Sequence, residues 1–212
     1  MCPSGPALTP SGVATFERCI AVGGVALFPA DTVYGLATEP DSREGVERLY
    51  RLKGRRPDRP AAVMFFSVEL ALAALPELGP RSREALERLL PGAVTLILPN
   101  PARRYPLACG PAPDVLGLRV PDLRGRLAPL AAVSWPVLQS SANPSGSRDA
   151  RRAEDVDARI RAGVDLILDA GELPGTPSTV VDLTGWERDR SLRIVRAGAV
   201  DEAQVRAALG GG

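Results

Sequence analysis

This 212-residue chain contains no histidine. That absence excludes serine–histidine–aspartate and cysteine–histidine nucleophile systems, and any histidine-bound metal. Lysine is nearly absent too: of 26 basic residues, all but Lys53 are arginine. The three cysteines, Cys2, Cys19 and Cys109, fit neither a disulfide framework nor a zinc site and read as incidental thiols. Aromatic residues make up 4% of the chain and the net charge is +1. These values argue against a base-stacking surface and against a global field that would hold a polyanion. No apolar run approaches the ~20 residues of a membrane helix. The opening MCPSGPALTP lacks a basic segment followed by an apolar one, so the expected location is the cytoplasm. Neither GxxxxGKS/T nor GxGxxG occurs, so a nucleotide would have to be held by another device.

What is present is an ordinary globular composition, 45% apolar and 24% charged. The expected organisation is one domain over 1–212, with a core over about 12–200 and flexible flanks at 1–10 and 210–212. Apolar runs alternate with amphipathic ones. A helix over 11–22, ended by Gly23 and Gly24, precedes the strand VALFP at 25–29. Ser42 is a candidate N-cap for a helix over 42–53 that places Val46, Leu49, Tyr50 and Lys53 on one face. Strands are expected at 61–66, 93–99, 115–121, 136–141, 165–169, 178–183 and 192–198. Helices are expected in VELALAAL and RSREALERLL and near 122–132, 153–161 and 201–209. The pattern predicts an α/β sheet flanked by helices. The Pro-rich stretch 99–114 reads as an irregular connector.

Four stretches carry candidate chemistry. In FPADTVYGLA (28–37), Asp31, Thr32 and Tyr34 follow a strand end, where side chains often line a pocket; an Asp/Thr turn bent at Gly35 is the plainer reading. In LKGRRPDRP (52–60), Lys53, Arg55, Arg56 and Arg59 crowd a helix C-terminus stiffened by Pro57 and Pro60. A helix dipole alone favours such charges, but a rigid basic loop also suits a polyphosphate. Lys53, a compact mobile point charge, suits a phosphate in motion better than a guanidinium fork does. LQSSANPSGS (138–147) runs a strand into Ser140, Ser141, Asn143, Ser145 and Gly146, either a serine-rich turn or an anion-binding nest. GLRVP (117–121) puts Arg119 in an apolar strand, where it needs a carboxylate from the core or from a ligand. Ser178 and Arg196 come to strand ends in PSTVVD and RIVRAG.

The succession FPADTVYGLA, LYRLKGRRPDRP, PGAVTLILP, GLRVP, SSANPSG, STVVDL, RIVRAG resembles the YrdC-type threonylcarbamoyl-AMP synthase family over about residues 12–200, in its short form without the extra C-terminal domain. The resemblance implies a twisted mixed α/β sheet around a concave basic cavity. It also implies a nucleotidyltransferase that joins L-threonine, bicarbonate and ATP into threonylcarbamoyl-AMP and releases pyrophosphate. Mg²⁺ would accompany the ATP, with no metal site in the protein itself. Partner proteins would pass the threonylcarbamoyl group to an adenosine of tRNA.

By the same resemblance, Lys53 and Arg55 are the K-x-R pair at the nucleotide phosphates and the catalytic candidates. Ser141 and Asn143 hold the nucleotide, and Arg196 clasps it from the last strand. Asp31, Thr32, Tyr34, Arg119 and Ser178 serve the amino acid, Arg119 through its carboxylate. Ala30 replaces the usual threonine, Arg56 the usual proline, and Met64 a histidine found in many members. The alternatives are a paralogue that forms a different carbamoyl adenylate, a double-stranded RNA or tRNA binding module, and a domain whose activity has decayed.

Overall fold

Alternation along the strands determines the layering. The computed structural model describes residues 8–210; Cys2 and the remainder of the two flanks lie outside the described residues. Nine strands, β1 (Ala26–Pro29), β2 (Tyr34–Thr38), β3 (Ala62–Met64), β4 (Val94–Pro99), β5 (Val115–Arg119), β6 (Val137–Ser141), β7 (Leu166–Ile167), β8 (Thr179–Asp182) and β9 (Arg193–Arg196), form one mixed sheet in the order β7-β1-β2-β6-β3-β5-β4-β8-β9. The helices are α1 (Pro10–Ala21), α2 (Arg43–Lys53), α3 (Val68–Ala74), α4 (Pro80–Leu89), α5 (Pro106–Cys109), α6 (Ala158–Gly163), α7 (Trp186–Asp189) and α8 (Glu202–Ala208).

Thr9 caps α1 through its hydroxyl, so ordered structure begins inside the segment expected to be flexible. Ser42 caps α2 as expected, and Gly54 ends it in the left-handed conformation at φ 58°. Three expectations are corrected. The 122–132 helix is a 3₁₀ segment over Gly125–Ala132 with Pro129 inside it, where the missing N–H does not sustain an α-helix. The 153–161 helix divides into a 3₁₀ turn at Ala153–Asp155 and α6, with Asp157 capping the latter. The 99–114 connector contains α5.

One face of the sheet carries Leu27, Leu36, Val63, Leu96, Leu118 and Leu138 against α2 and α4. The opposite face carries Ala26, Phe28, Ala37, Met64 and Val137 against Val13, Phe16 and Ile20 of α1 and Leu130 and Val133 of the 3₁₀ segment. That covering does not reach the β5-β4-β8 half of the second face. There Gly117, Ile97 and Val180 form, with Ala62, the floor of a cavity of about 460 Å³. Small residues in register, Ala62 opposite Gly117, keep that floor low.

Candidate functional site

The cavity lining includes Arg55, Arg119 and Arg196 and not one aspartate or glutamate. Its walls are otherwise apolar or neutral polar, the latter including Thr95, Gln139, Ser140, Ser141 and Ser178. Among the described residues the one carboxylate in a salt bridge with these three, Asp31 on Arg119, lies outside the lining, so the concave surface itself presents positive charge and attracts anions.

One pole is built where α2 meets the end of β6. The backbone N–H of Ser145 donates to the Lys53 carbonyl at 2.9 Å and ties the serine-rich loop to the helix end. Lys53 lies on the buried face of α2 and is only 3% exposed. Its ammonium donates to the backbone carbonyl of Ser141, to that of Asn143 at 2.8 Å and to the Asn143 side-chain oxygen at 3.3 Å. It forms no salt bridge among the described residues; loss of water and the nearby Arg55 guanidinium pull its pKa down to about 8. The expected mobile charge facing the cavity is therefore corrected: Lys53 is clamped behind the loop, and Ser141 and Arg55 are the members of this pole that line the cavity. Ser141 donates its hydroxyl to the Asn143 side-chain oxygen, and the Asn143 amide donates to the Ser147 carbonyl. Arg55 donates to the Pro60 carbonyl and stacks over the Tyr50 ring, 5.7 Å from its centroid.

The second pole lies at the C-terminal end of β5. Alternation sends Leu116 and Leu118 into the core and Arg119 into the cavity. Arg119 is 3% exposed and donates to the Asp31 carboxylate at 2.5 Å, with Thr32 Oγ1 at 3.4 Å. The Asp122 amide donates to the second Asp31 oxygen at 3.1 Å. The carboxylate foreseen for Arg119 is thus supplied by the protein itself. Burial pushes the Asp31 carboxyl up, against the pull of the Arg119 guanidinium and the Asp122 amide. Arg196 donates to the Ser178 carbonyl at 2.7 Å, and Ser178 Oγ lies 2.8 Å from Thr95 Oγ1. Arg196, expected to clasp the nucleotide from the last strand, therefore stands with Ser178 at the second pole. Two of the three buried side-chain polar atoms left without a partner among the described residues are the Nε atoms of Arg55 and Arg119, one at each pole. A buried N–H without an acceptor is costly, and a ligand oxygen at each pole would satisfy it.

Asp31 and Thr32 reach the site through Arg119 and are not part of the cavity lining. Tyr34 does not reach it. The chain bends at Asp31–Val33, but Gly35, read as the bend of an Asp/Thr turn, lies inside strand β2, whose alternation puts Tyr34 with Leu36 on the helix-covered face. The Tyr34 hydroxyl donates to Asp169 at 2.7 Å and accepts from the Ala170 amide, and burial with the Asp169 carboxylate pushes its pKa up. Ala30 and Met64 are fully buried with Phe16, Phe28 and Phe66 and do not line the cavity. Two polar lining residues were missed from the sequence, Thr95 and Gln139. Each is a polar residue in an apolar strand, the signal that singled out Arg119.

The Sua5/YciO/YrdC family model, described as "Telomere recombination", matches residues 18–198. The chain belongs to this family. A threonylcarbamoyl-AMP synthase of Pyrococcus abyssi is 30% identical over 79% of this chain and 49% of its own length. One of Saccharophagus degradans is 32% identical over 78% of this chain and 87% of its own. A crystal structure of P. abyssi Sua5 complexed with L-threonine superposes with a TM-score of 0.80 at 26% identity, covering 95% of this chain and 58% of that one. Escherichia coli YciO superposes at 0.74 with 25% identity, covering 91% and 92%. The chain thus spans about half the length of the archaeal Sua5 sequence and nearly all of YciO, and the twisted, helix-flanked sheet expected from the sequence is that of the family.

Proposed function

We propose that this member of the Sua5/YciO/YrdC family condenses L-threonine, bicarbonate and ATP into threonylcarbamoyl-AMP, with release of pyrophosphate. The product would serve partner proteins that modify an adenosine of tRNA. The observation that carries this reading is a cavity with two separate cationic poles, each holding an unpaired buried guanidinium Nε, and no acidic side chain in its lining. An adenylate joined to an amino acid has two anionic parts, a phosphate and a carboxylate, and the poles match them.

The chemistry suits the residue types. The threonine amine adds to bicarbonate to form a carbamate and water. A carbamate oxygen then bonds to the α-phosphorus as the bond to the β-phosphate oxygen breaks and pyrophosphate leaves. Phosphoryl-type transfer depends on positioning and charge stabilisation more than on acid–base groups, so a chain without histidine can perform it. In this reading Arg55 and Ser141 hold phosphate oxygens. The Lys53 ammonium, behind the Ser141–Asn143 turn, adds positive charge and fixes the turn. Arg119 and Arg196 take the carboxylate, with Ser178 and Thr95 in support and Asp31 and Thr32 setting the angle of Arg119. Among the described residues no group of three or more cysteine, aspartate or glutamate side chains could hold a metal, so Mg²⁺ would enter on the oxygens of ATP. When bound, it would neutralise charge on the departing pyrophosphate.

The test is pyrophosphate release by the purified chain with ATP and bicarbonate, with and without L-threonine. Release dependent on threonine is the expected result. Release with another amine but not with threonine would reassign the chain to a different carbamoyl adenylate. Tight, steeply salt-dependent RNA binding without ATP binding would make it a nucleic-acid module instead.

A further inference from the structure

Gln139 is 6% exposed, lines the cavity, and lies on the cavity face of β6 between Val137, packed under α1, and Ser141 of the phosphate pole. Every other polar side chain on this face of β5, β4, β6 and β8 is engaged: Arg119 with Asp31, Thr95 with Ser178, Ser141 with Asn143, Asp182 with Thr184. The Gln139 amide makes no hydrogen bond to any described residue. A primary amide offers two donors and an acceptor, and here they open on the cavity without a protein partner, free to bond what enters it. The fold makes room for it. Gly35, the β2 partner of Ser141, lies diagonally across from it, and a Cβ built there would lie 2.9 Å from the Gln139 amide nitrogen. Gly35 has no left-handed backbone to explain it, so the vacancy its missing side chain leaves is filled by this amide.

The position restricts what the amide can meet. Pro60, Cys109, Ala112 and Val115 form an apolar stretch at the Arg55 end of the cavity, suited to a flat base. Gln139 lies two strands from β5 on the other side of the floor, one level below Arg119 in the register, with Val33 also in the lining. Ala30 and Met64, beyond it, are buried in the apolar cluster and supply no polar group. We propose that Gln139 is a specificity-determining residue that hydrogen-bonds the side-chain hydroxyl of the amino-acid substrate whose carboxylate sits on Arg119. A hydroxyl both donates and accepts, as the amide does. A site built to bond a hydroxyl rejects the analogue that lacks it, because the site's own polar group is then left unpaired.

This inference rests on the synthase reading above. The experiment compares kcat/KM for L-threonine and for L-valine, its near-isostere without the hydroxyl, in the wild type, Gln139→Leu and Gln139→Glu, with the KM for ATP measured alongside. The expected result is a wild-type preference for threonine that falls about tenfold or more in Gln139→Leu. Most of the loss should lie in the threonine KM, with the ATP KM unchanged. Gln139→Glu keeps an acceptor, covers the case in which the leucine variant does not fold, and is expected to keep part of the preference. Wild-type turnover of threonine with an unchanged threonine-to-valine ratio in both variants overturns the inference and leaves the synthase reading standing. A rise confined to the ATP KM overturns it too, and assigns the amide to the nucleotide. No turnover of any amine by the wild type removes both readings together.

Discussion

Lys53 Nζ lies 2.8 Å from the backbone carbonyl oxygen of Asn143, and no carboxylate forms a salt bridge with it among the described residues. A buried ammonium held only by neutral oxygens strengthens the local positive potential instead of cancelling it. This arrangement stiffens the Ser141–Asn143 turn and leaves the charge free to act through it. Lys53→Ala should therefore abolish ATP-dependent turnover while far-ultraviolet circular dichroism shows the fold retained. Turnover near the wild-type level would place the phosphates elsewhere.

The depressed Lys53 pKa makes two further results move in opposite directions with pH. The folded value, about 8, lies below the ordinary 10.5, so between those values the unfolded chain binds a proton that the folded chain has released. Stability attributable to Lys53 must then rise with pH across that window, and the full burial penalty applies below it. Urea melts of the wild type minus those of Lys53→Met should show this rise from about pH 8 upward. Over the same range kcat/KM for ATP should fall, since the phosphates need the charged form. Parallel changes in stability and activity would contradict the assignment.

Arg119 and Asp31 form the ion pair behind the second pole, at 4% and 7% side-chain exposure. Replacing one partner strands a buried charge, at a cost of about 3–5 kcal/mol. Asp31→Ala should thus lower the melting temperature more than the double variant Asp31→Ala/Arg119→Ala does. Where the proteins stay folded, Arg119→Ala should raise the KM for the amino acid more than that for ATP. The reverse split would exchange the roles of the two poles.

Much of this arrangement was legible in the sequence, and the misses share a cause. Helix α2 was readable because Ser42 opens a clear 3–4 periodicity. Arg119 was readable because an arginine in an apolar strand demands a partner. Strand β2 was not, because YGLAT is buried on both faces and interrupts its tyrosine and threonine with glycine and alanine, so it shows no polar–apolar alternation. Missing that strand put Tyr34 on the wrong side of the sheet. The grouping of Arg196 with Ser178 depends on β9 pairing beside β8, and the tethering of Lys53 depends on β6 ending beside α2; both meetings join distant parts of the chain. Local pattern does not contain them.

Tyr34 separates a structural role from a binding one. Its hydroxyl joins β2 to the Asp169–Gly171 segment through bonds of 2.7 Å to Asp169, 2.9 Å to the Gly171 carbonyl and 3.0 Å from the Ala170 amide. Tyr34→Phe removes these bonds from groups that are half-buried or exposed, and a loss of about 0.5–1.5 kcal/mol is expected in chemical denaturation. Steady-state kinetics below the melting range should show unchanged KM values for both substrates. A rise in the threonine KM without loss of stability would mean that the hydroxyl turns to the ligand.

Gly35 offers a test of the cavity wall that does not remove any polar group. A Cβ at this position would approach the Gln139 amide nitrogen to 2.9 Å, the Phe28 ring to 3.2 Å and the Ser140 carbonyl to 3.3 Å. The ring and the carbonyl belong to paired strands on either side and give little, so the flexible amide should move first. Gly35→Ala is expected to cost about 1–3 kcal/mol through overpacking. It should also reduce the preference for threonine over valine in the same direction as Gln139→Leu. Combining the two substitutions should then lower the preference no further than Gln139→Leu does alone, since both act on one amide and neighbouring sites of this kind are not additive. Independent, multiplicative losses in the double variant would show that Gly35 shapes the pocket by another route.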